Sequence, residues 1–315
     1  KLIDLLGRPN RRPGETVEDF HRDVARSTQF TLEECLMSAV EELHRRVPEV
    51  RNLCFAGGVA LNCSANRRLL HSEYFDQVYV PPVASDRGLA VGCAYEGAVM
   101  LGDSPWQLWD AYLGSNYSNA AIRQELQSNG CRFVEVDDPV EAGAELLSND
   151  KIIGWYQGRS ESGARALGNR SILSSCATTA IRDLVNARIK YREEFRPFAP
   201  SILQEEVGNW FHAYGRTEFP YMTFTLDALE HQASRIAAVV HVDGTARVQT
   251  VGSSNNEVYY ELIKRYAKRS GVPVILNTSF NLKGQPIVES PRDALMTFYG
   301  CGLDALIMNN FVVQK

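Results

Sequence analysis

Long apolar runs are missing from this chain, and none approaches the roughly 18 to 20 residues that a membrane-spanning helix needs. Paired metal and disulfide spacings are missing too. The seven cysteines (Cys35, Cys54, Cys63, Cys93, Cys131, Cys176 and Cys301) are odd in number and include no C-x-x-C pair, which weakens both a zinc site and a disulfide framework. Several sit among apolar neighbours, as free thiols do in a reducing cytoplasm. The six histidines show no H-x-x-x-H spacing, so each reads as structural. Internal repeats and low-complexity segments are also lacking. The opening run KLIDLL is too short and too polar for a signal peptide. It carries no initiator Met, so residue 1 is expected to lie inside a longer natural chain.

What is present is the make-up of a globular protein: 315 residues, 44% hydrophobic and 23% charged, enough for two domains. The formal net charge of −5 is unevenly spread. Residues 151–200 hold nine Lys or Arg against four acids, a local excess of five positive charges that leaves −10 elsewhere. A basic island in an acidic chain points to a locally bound anion and argues against general attraction to nucleic acid or a membrane surface.

Apolar spacing near 3.6 predicts a helix or helix pair over 16–47, closed by Pro48. Two strand–glycine turn–helix units follow, with strands at 53–56 and 78–80 and helices at 59–70 and 88–101, which predicts an α/β layer. Residues 102–118 mix Gly, Pro, Ser and aromatics without a period and read as a linker packed on a surface. A second α/β unit has helices at 119–129, 138–148, 180–190, 255–269 and 291–300. Its strands are expected at 131–136, 151–156, 219–226, 236–242 and 272–276.

Six motifs carry candidate chemistry. FAGGVALN (55–62) places Gly57 and Gly58 between strand and helix, where backbone N–H groups can meet an anion; alone it is an ordinary tight turn. PPVASDRGLAVGCA (81–94) puts Asp86 before a small-residue helix, a position that on spacing alone reads as an N-cap. WYQGRSESGARALGNRS (155–171) sets Arg159, Arg165 and Arg170 among glycines and hydroxyls, a composition suited to gripping phosphate bidentately. KYREEFRPFAPS (190–201) adds Lys190 and Arg196. Its basic–aromatic alternation could track single-stranded nucleic acid, but its prolines and acids favour a compact anion pocket. Arg192 reads as part of an i,i+4 ion-pair face. HVDGTARVQ (241–249) is a turn that delivers Arg247. LNTSFN (276–281) places Asn277, Ser279 and Asn281 at the end of a strand, where open α/β sheets bind ligands.

Together and in this order these runs resemble the O-carbamoyltransferases of antibiotic and nodulation-factor biosynthesis over essentially the whole chain. The resemblance implies the C-terminal portion of an actin/sugar-kinase-like domain (1–102), a linker (103–118), and a YrdC-like α/β domain with a twisted open sheet (119–315). It implies carbamoyl phosphate and ATP, with Mg2+, as substrates of a carbamoyl-adenylate-forming step. The carbamoyl group then passes to a hydroxyl of a sugar, macrocycle or lipo-oligosaccharide. Arg165, Lys190, Arg196, Arg247 and Ser279 match the residues holding the phosphorylated substrates. Asn281 is a weaker addition, and Arg159, Arg170 and Asn277 come from the same loops. Gly57, Gly58 and Asn62 match the nucleotide loop of the first domain. Asp86 matches a carboxylate ligand to Fe(II) or another divalent metal, which replaces its reading as a cap. The family's two metal-binding histidines belong to a segment upstream of residue 1. The resemblance also implies a cytoplasmic enzyme of small molecules, without nucleic acid or a membrane span; a homo-oligomer is allowed. A threonylcarbamoyl-AMP synthase-like tRNA-modification enzyme is the alternative, disfavoured by the acidic charge outside 151–200. A non-catalytic nucleotide-binding descendant is a third.

Overall fold

A computed structural model describes residues 1–12, 14–104, 110–193 and 195–315. By contact the chain forms two compact units, residues 1–54 with 67–79, and residues 55–66 with 80–315. These limits differ from the boundaries expected at 102/103 and 118/119, because residues 55–66 and 80–104 belong by contact to the larger unit. The expected linker falls partly on residues 105–109, which lie outside the described residues.

The smaller unit contains α1 (Leu2–Leu6), α2 (Asp19–Arg46), β1 (Asn52–Cys54), the end of α3 (Cys63–His71) and β2 (Gln77–Tyr79). Glu18 and His21 close a capping box on α2. Its last turn gathers Arg45 and Arg46, cations that suit the negative end of the helix dipole. β1 and β2 pair in parallel, with Leu53 opposite Val78.

The larger unit begins with a 3-10 turn at Gly58–Leu61 and α4 (Leu89–Met100). It continues with α5 (Asn119–Ser128), β3 (Phe133–Glu135), α6 (Pro139–Ser148), β4 (Ile153–Tyr156), β5 (Arg170–Ser174), α7 (Thr179–Val185) and β6 (Ala199–Leu203). Then come α8 (Val207–Trp210), β7 (Thr225–Asp227), α9 (Glu230–Ala233), β8 (Thr245–Arg247) and β9 (Gln249–Val251). Last are α10 (Glu257–Ser270), β10 (Val274–Ser279), α11 (Pro291–Tyr299), β11 (Ala305–Met308) and β12 (Phe311–Val313). Eight strands make one mixed sheet in the order β3-β12-β11-β4-β5-β10-β6-β9, which bears out an α/β unit with a large open sheet. β4–β11 and β6–β9 are parallel pairs and the rest antiparallel.

Alternation along the strands decides what each face buries. Ile153, Trp155, Leu173, Leu203, Ile275 and Ile307 point to one side and pack with Ala144, Leu147, Tyr259, Leu262, Ile263 and Tyr266 of α6 and α10. Arg265 and Arg269 of α10 pair with Asp138 and Glu141 of α6 across the solvent edge of that layer. On the other side, α11 packs against β4 and β11 and carries α5. Tyr156 is fully buried there and its hydroxyl donates to the carbonyl of Glu289 at 2.7 Å.

Two expected strands are corrected. Residues 236–242 are not a strand: a 3-10 turn spans Ser234–Ile236, and the apolar run that follows buries Ile236, Ala238 and Val239 in turns. Of 219–226, only Thr225 and Leu226 belong to a strand.

Candidate functional site

Sheet register brings the motifs together. β10 runs antiparallel to β5 and β6, with Ser279 opposite Ser171 and Asn277 opposite Ala199. The C-terminal end of β10 therefore lies beside the start of β5 and the start of β6. β4 ends at the same edge, with Tyr156 opposite Arg170, and β9 starts there, with Gln249 opposite Ser201. Four segments converge on this end: loop 157–169 with Arg165, the segment after α7 with Lys190, Arg192 and Arg196, Arg247 of β8, and the end of β10 with Ser279 and Asn281.

α7 runs into a π-helical turn, Asn186–Lys190, ended by Tyr191 in the left-handed region (φ 45). That break buries Lys190, whose ammonium finds neutral acceptors. It donates to the carbonyl of Ser279, to Ser279 Oγ at 3.3 Å, and to the carbonyl (3.1 Å) and Oδ1 (2.9 Å) of Asn281. Burial, with Arg192 and Arg196 nearby, pulls its pKa down to about 7.

Arg192 belongs to the cluster. Past the break it is on no helix, so the i,i+4 ion-pair reading is corrected. Its Nε donates to Asn186 Oδ1 at 2.9 Å, Nη2 donates to the carbonyl of Pro197 at 3.1 Å, and the guanidinium stacks 4.4 Å from the Phe198 ring. Burial and repulsion from Arg196 and Arg247 bring its pKa down to about 10, with Glu193 opposing.

Arg165 makes no hydrogen bond or ion pair with the described residues, and burial with repulsion from Arg247 also lowers it to about 10. Arg247 is lowered by burial, and its Nε is sealed from solvent without a partner. What favours the charge on these two is the Cys63 thiol, hydrogen-bonded to Arg247, and among the described residues no carboxylate does so. Arg196 is exposed. An Asx turn aims Arg247: Asp243 Oδ1 accepts from Thr245 N (3.1 Å) and Oγ1 (2.8 Å), and Gly244 takes φ +79.

Loop 161–170 is held from both sides. Glu161 Oε1 accepts from the backbone N–H of Leu167 (2.7 Å), Asn169 (2.8 Å) and Arg170 (3.2 Å). Burial raises the pKa of this carboxyl, and the three N–H groups oppose the rise. From beneath, Asn277 Nδ2 donates to the carbonyl of Ala166 (3.2 Å), and Gln249 Nε2 (2.7 Å) and Tyr112 Oη (2.9 Å) donate to that of Leu167. Asn277 is thus a buried support beneath the loop.

Arg159 and Arg170, expected to meet a ligand, are placed elsewhere by the structure. Arg159 donates to the carbonyls of Gly114 (2.9 Å) and Leu113 (2.8 Å). Arg170 is fully buried, stacks 3.6 Å over Tyr156 and donates to the carbonyls of Gln157, Gly158, Asn169 and Ser115. They fasten residues 110–117 as a strap over the loop, so the described part of the expected linker is packed.

The GGVALN loop reaches the same place through α3. Gly57 takes φ +102 and its N–H donates to the carbonyl of Ala84 at 2.6 Å. Gly58 opens the 3-10 turn, and Asn62 Oδ1 caps α3 through Ala65 N at 3.0 Å. Asn66 Nδ2 ties this end to the carbonyl of Thr223 at 2.8 Å, and Thr225 Oγ1 donates to that of Cys63 at 3.4 Å. Cys63 thereby sits beside Arg165 and Arg247. Asp86 is exposed in a 3-10 turn (Asp86–Gly88), and no group of three metal-ligating side chains occurs among the described residues. A single carboxylate does not make a divalent metal site, and Asp86 alone does not fit iron. No helix among them is long and apolar enough to cross a membrane.

A cluster in which the buried Arg165, Lys190 and Arg247 lack carboxylate partners among the described residues should bind an anion with proton uptake. At pH 8, above the pKa of Lys190, binding of inorganic sulfate is expected to charge that amine. Affinity should then fall by up to about tenfold per pH unit as pH rises past 7. Calorimetry in two buffers of different ionisation enthalpy should show the uptake in the wild type and lose it in Lys190→Met.

The family described as carbamoyltransferase C-terminus matches residues 144–315, and carbamoyltransferase N-terminus matches residues 2–95. Over 311 residues the chain is 40% identical to nodulation protein NolNO of Sinorhizobium fredii, covering 97% of this chain and 46% of that one. Nodulation protein NolO of Bradyrhizobium diazoefficiens is 41% identical over 311 residues, covering 97% and 57%. The chain thus spans about half the length of these curated relatives. Full-length HypF in its phosphate- and nucleotide-bound form overlaps 58% of this chain and 23% of its own at 17% identity and a TM-score of 0.38, too slight a likeness to carry an argument.

Proposed function

We propose, from the premise that this chain belongs to the carbamoyltransferase family, that its larger unit forms carbamoyl-adenylate from carbamoyl phosphate and ATP. The observation that carries this reading is the cluster of Arg165, Lys190, Arg192, Arg196 and Arg247 at one end of the sheet, where Arg165 and Arg247 lack carboxylate partners. Two phosphorylated substrates supply the missing negative charge.

Hydrolysis of carbamoyl phosphate releases phosphate and carbamate. A carbamate oxygen then attacks the α-phosphorus of ATP, pyrophosphate leaves, and carbamoyl-AMP remains. Charge builds on phosphoryl oxygens throughout, so fixed guanidiniums and the Lys190 ammonium are the stabilisation the step needs. ATP arrives with its Mg2+. Ser279 and Asn281 orient Lys190, and no protein nucleophile is required.

On this reading residues 119–315 are a YrdC-like domain and residues 1–102 the C-terminal part of an actin-like metal and ATP domain. Gly57, Gly58 and Asn62 would then meet nucleotide, and Asp86 would be one of several ligands to iron. The carbamoyl group would pass in the cytoplasm to a hydroxyl of a secondary metabolite or lipo-oligosaccharide, an acceptor class supported by the nodulation names of the relatives.

Exchange of labelled pyrophosphate into ATP by this chain tests the reading. Exchange that requires carbamoyl phosphate or carbamate supports it. Exchange seen only with threonine and bicarbonate would replace it with a tRNA-modification synthase, and absence of both exchange and nucleotide binding would end it.

A further inference from the structure

We infer that Glu161 is the positioning residue of this anion site, presetting Arg165 through the backbone of the loop rather than by touching any ligand. The inference rests on the anion-binding reading above and names the residue that organises the site.

Arg165 has no hydrogen-bonding partner of its own among the described residues, so its place is dictated by the peptide units around it. On their N–H side those units share one acceptor oxygen. Glu161 Oε1 gathers the N–H groups of Leu167, Asn169 and Arg170, all just downstream of Arg165. Three N–H donors converging on a point form a concavity that would otherwise attract a phosphate oxygen. Here the protein's own carboxylate fills it. The carbonyls of Ala166 and Leu167 are held from the opposite side by Asn277, Gln249 and Tyr112, so donors and acceptors of the same peptides are both fixed.

The second oxygen, Oε2, is buried without a hydrogen-bond partner. A carboxylate placed only to satisfy the core would be expected to use both oxygens, because an unpaired buried acceptor is costly. Burial works against the charge of this carboxyl, and the three N–H dipoles favour it. Loop shape and carboxylate therefore support each other. Gly168, at φ +108, lets the chain turn tightly enough for N–H groups on both sides of it to reach one atom.

Glu161→Gln tests this with little change of shape. Its amide oxygen still accepts, but without charge, and charge-assisted hydrogen bonds are about twice as strong as neutral ones. In the ligand-free chain, amide hydrogen exchange at Leu167, Asn169 and Arg170 should quicken by about tenfold, the scale of one weakened charged contact. Exchange at the amides of β6 and β10 should be unchanged. Affinity for inorganic pyrophosphate should fall by about tenfold on the same scale. In an Arg165→Ala background the substitution should cause no further loss, because Glu161 acts through Arg165. A merely structural role would give additive losses, and that result overturns the inference, as does unchanged exchange at the three amides. Failure of the wild type to bind pyrophosphate would instead overturn the functional reading, and the exchange data on the ligand-free chain would then judge the loop architecture separately.

Discussion

Replacing Arg165 with alanine is expected to cut pyrophosphate affinity and carbamoyl-phosphate-dependent ATP exchange by about 10- to 150-fold, the loss of one charge-assisted contact worth about 1.5–3 kcal/mol. The same substitution should raise the melting temperature of the ligand-free chain. Arg165 is mostly buried, repelled by Arg247, and without a hydrogen bond or ion pair among the described residues. Removing it relieves both desolvation and repulsion, and each kcal/mol relieved should add about 2–4 °C in a domain of this size. Opposite signs for affinity and stability mark a group kept for its ligand at the expense of the fold. Arg196→Ala is the contrast. That side chain is exposed, so affinity should fall comparably while the melting temperature stays nearly constant. Titration calorimetry and thermal denaturation on the two variants check both halves. Loss of stability in Arg165→Ala would show that Arg165 supports the loop rather than waiting for an anion.

Gly168→Ala should be strongly destabilising. The residue takes φ +108, which costs an L-side chain about 1–3 kcal/mol. The new Cβ would also lie 2.5 Å from Cγ and Cε1 of the Tyr259 ring. Tyr259 is itself fully buried among α6, α10 and the sheet, so overpacking adds about 1–3 kcal/mol. Gly244→Ala isolates the first component, since Gly244 has φ +79 and no atom within 4 Å of a built Cβ. Chemical denaturation should therefore place Gly168→Ala about 1–3 kcal/mol below Gly244→Ala, the overpacking share alone. Equal losses would mean that the ring can move aside.

The helices were the most legible part of the fold, for a physical reason. The 119–128, 139–148 and 257–270 segments each carry an apolar stripe behind a side-chain cap at Ser118, Asp138 or Asn256. Such signals are local. β5 and β6 were hidden because their first residues belong to the polar motifs ARALGNRS and FRPFAPS, although all ten of their residues are buried. Burial of Arg170, Ser171 and Ser201 comes from sheet neighbours distant in sequence, which no local pattern records.

The site shows the same division. Residue type and spacing pointed to the motifs, the family resemblance singled out Arg165, Lys190, Arg196, Arg247 and Ser279 within them, and register brings their segments to one end of the sheet. Arg159 and Arg170 have the same local appearance, yet their guanidiniums are occupied by the carbonyls of the 113–115 strap and, for Arg170, of residues 157, 158 and 169. Arg192 was hidden for the converse reason: the helix stops at Tyr191, so the helical spacing that gave it an ion-pair partner does not exist. A left-handed Tyr is not a pattern that composition announces.

The strand order also has a consequence for biosynthesis. β11 lies between β12 and β4, and β12 lies between β3 and β11, so the two strands of this sheet that come latest in chain order sit inside it and not at its margin. Until residues 305–313 leave the ribosome, β3 has no partner and β4 offers one bare edge to any neighbouring chain. Loss of β11 and β12 would therefore strike the nascent protein as an aggregation hazard, while the cation loops upstream had already been made in full.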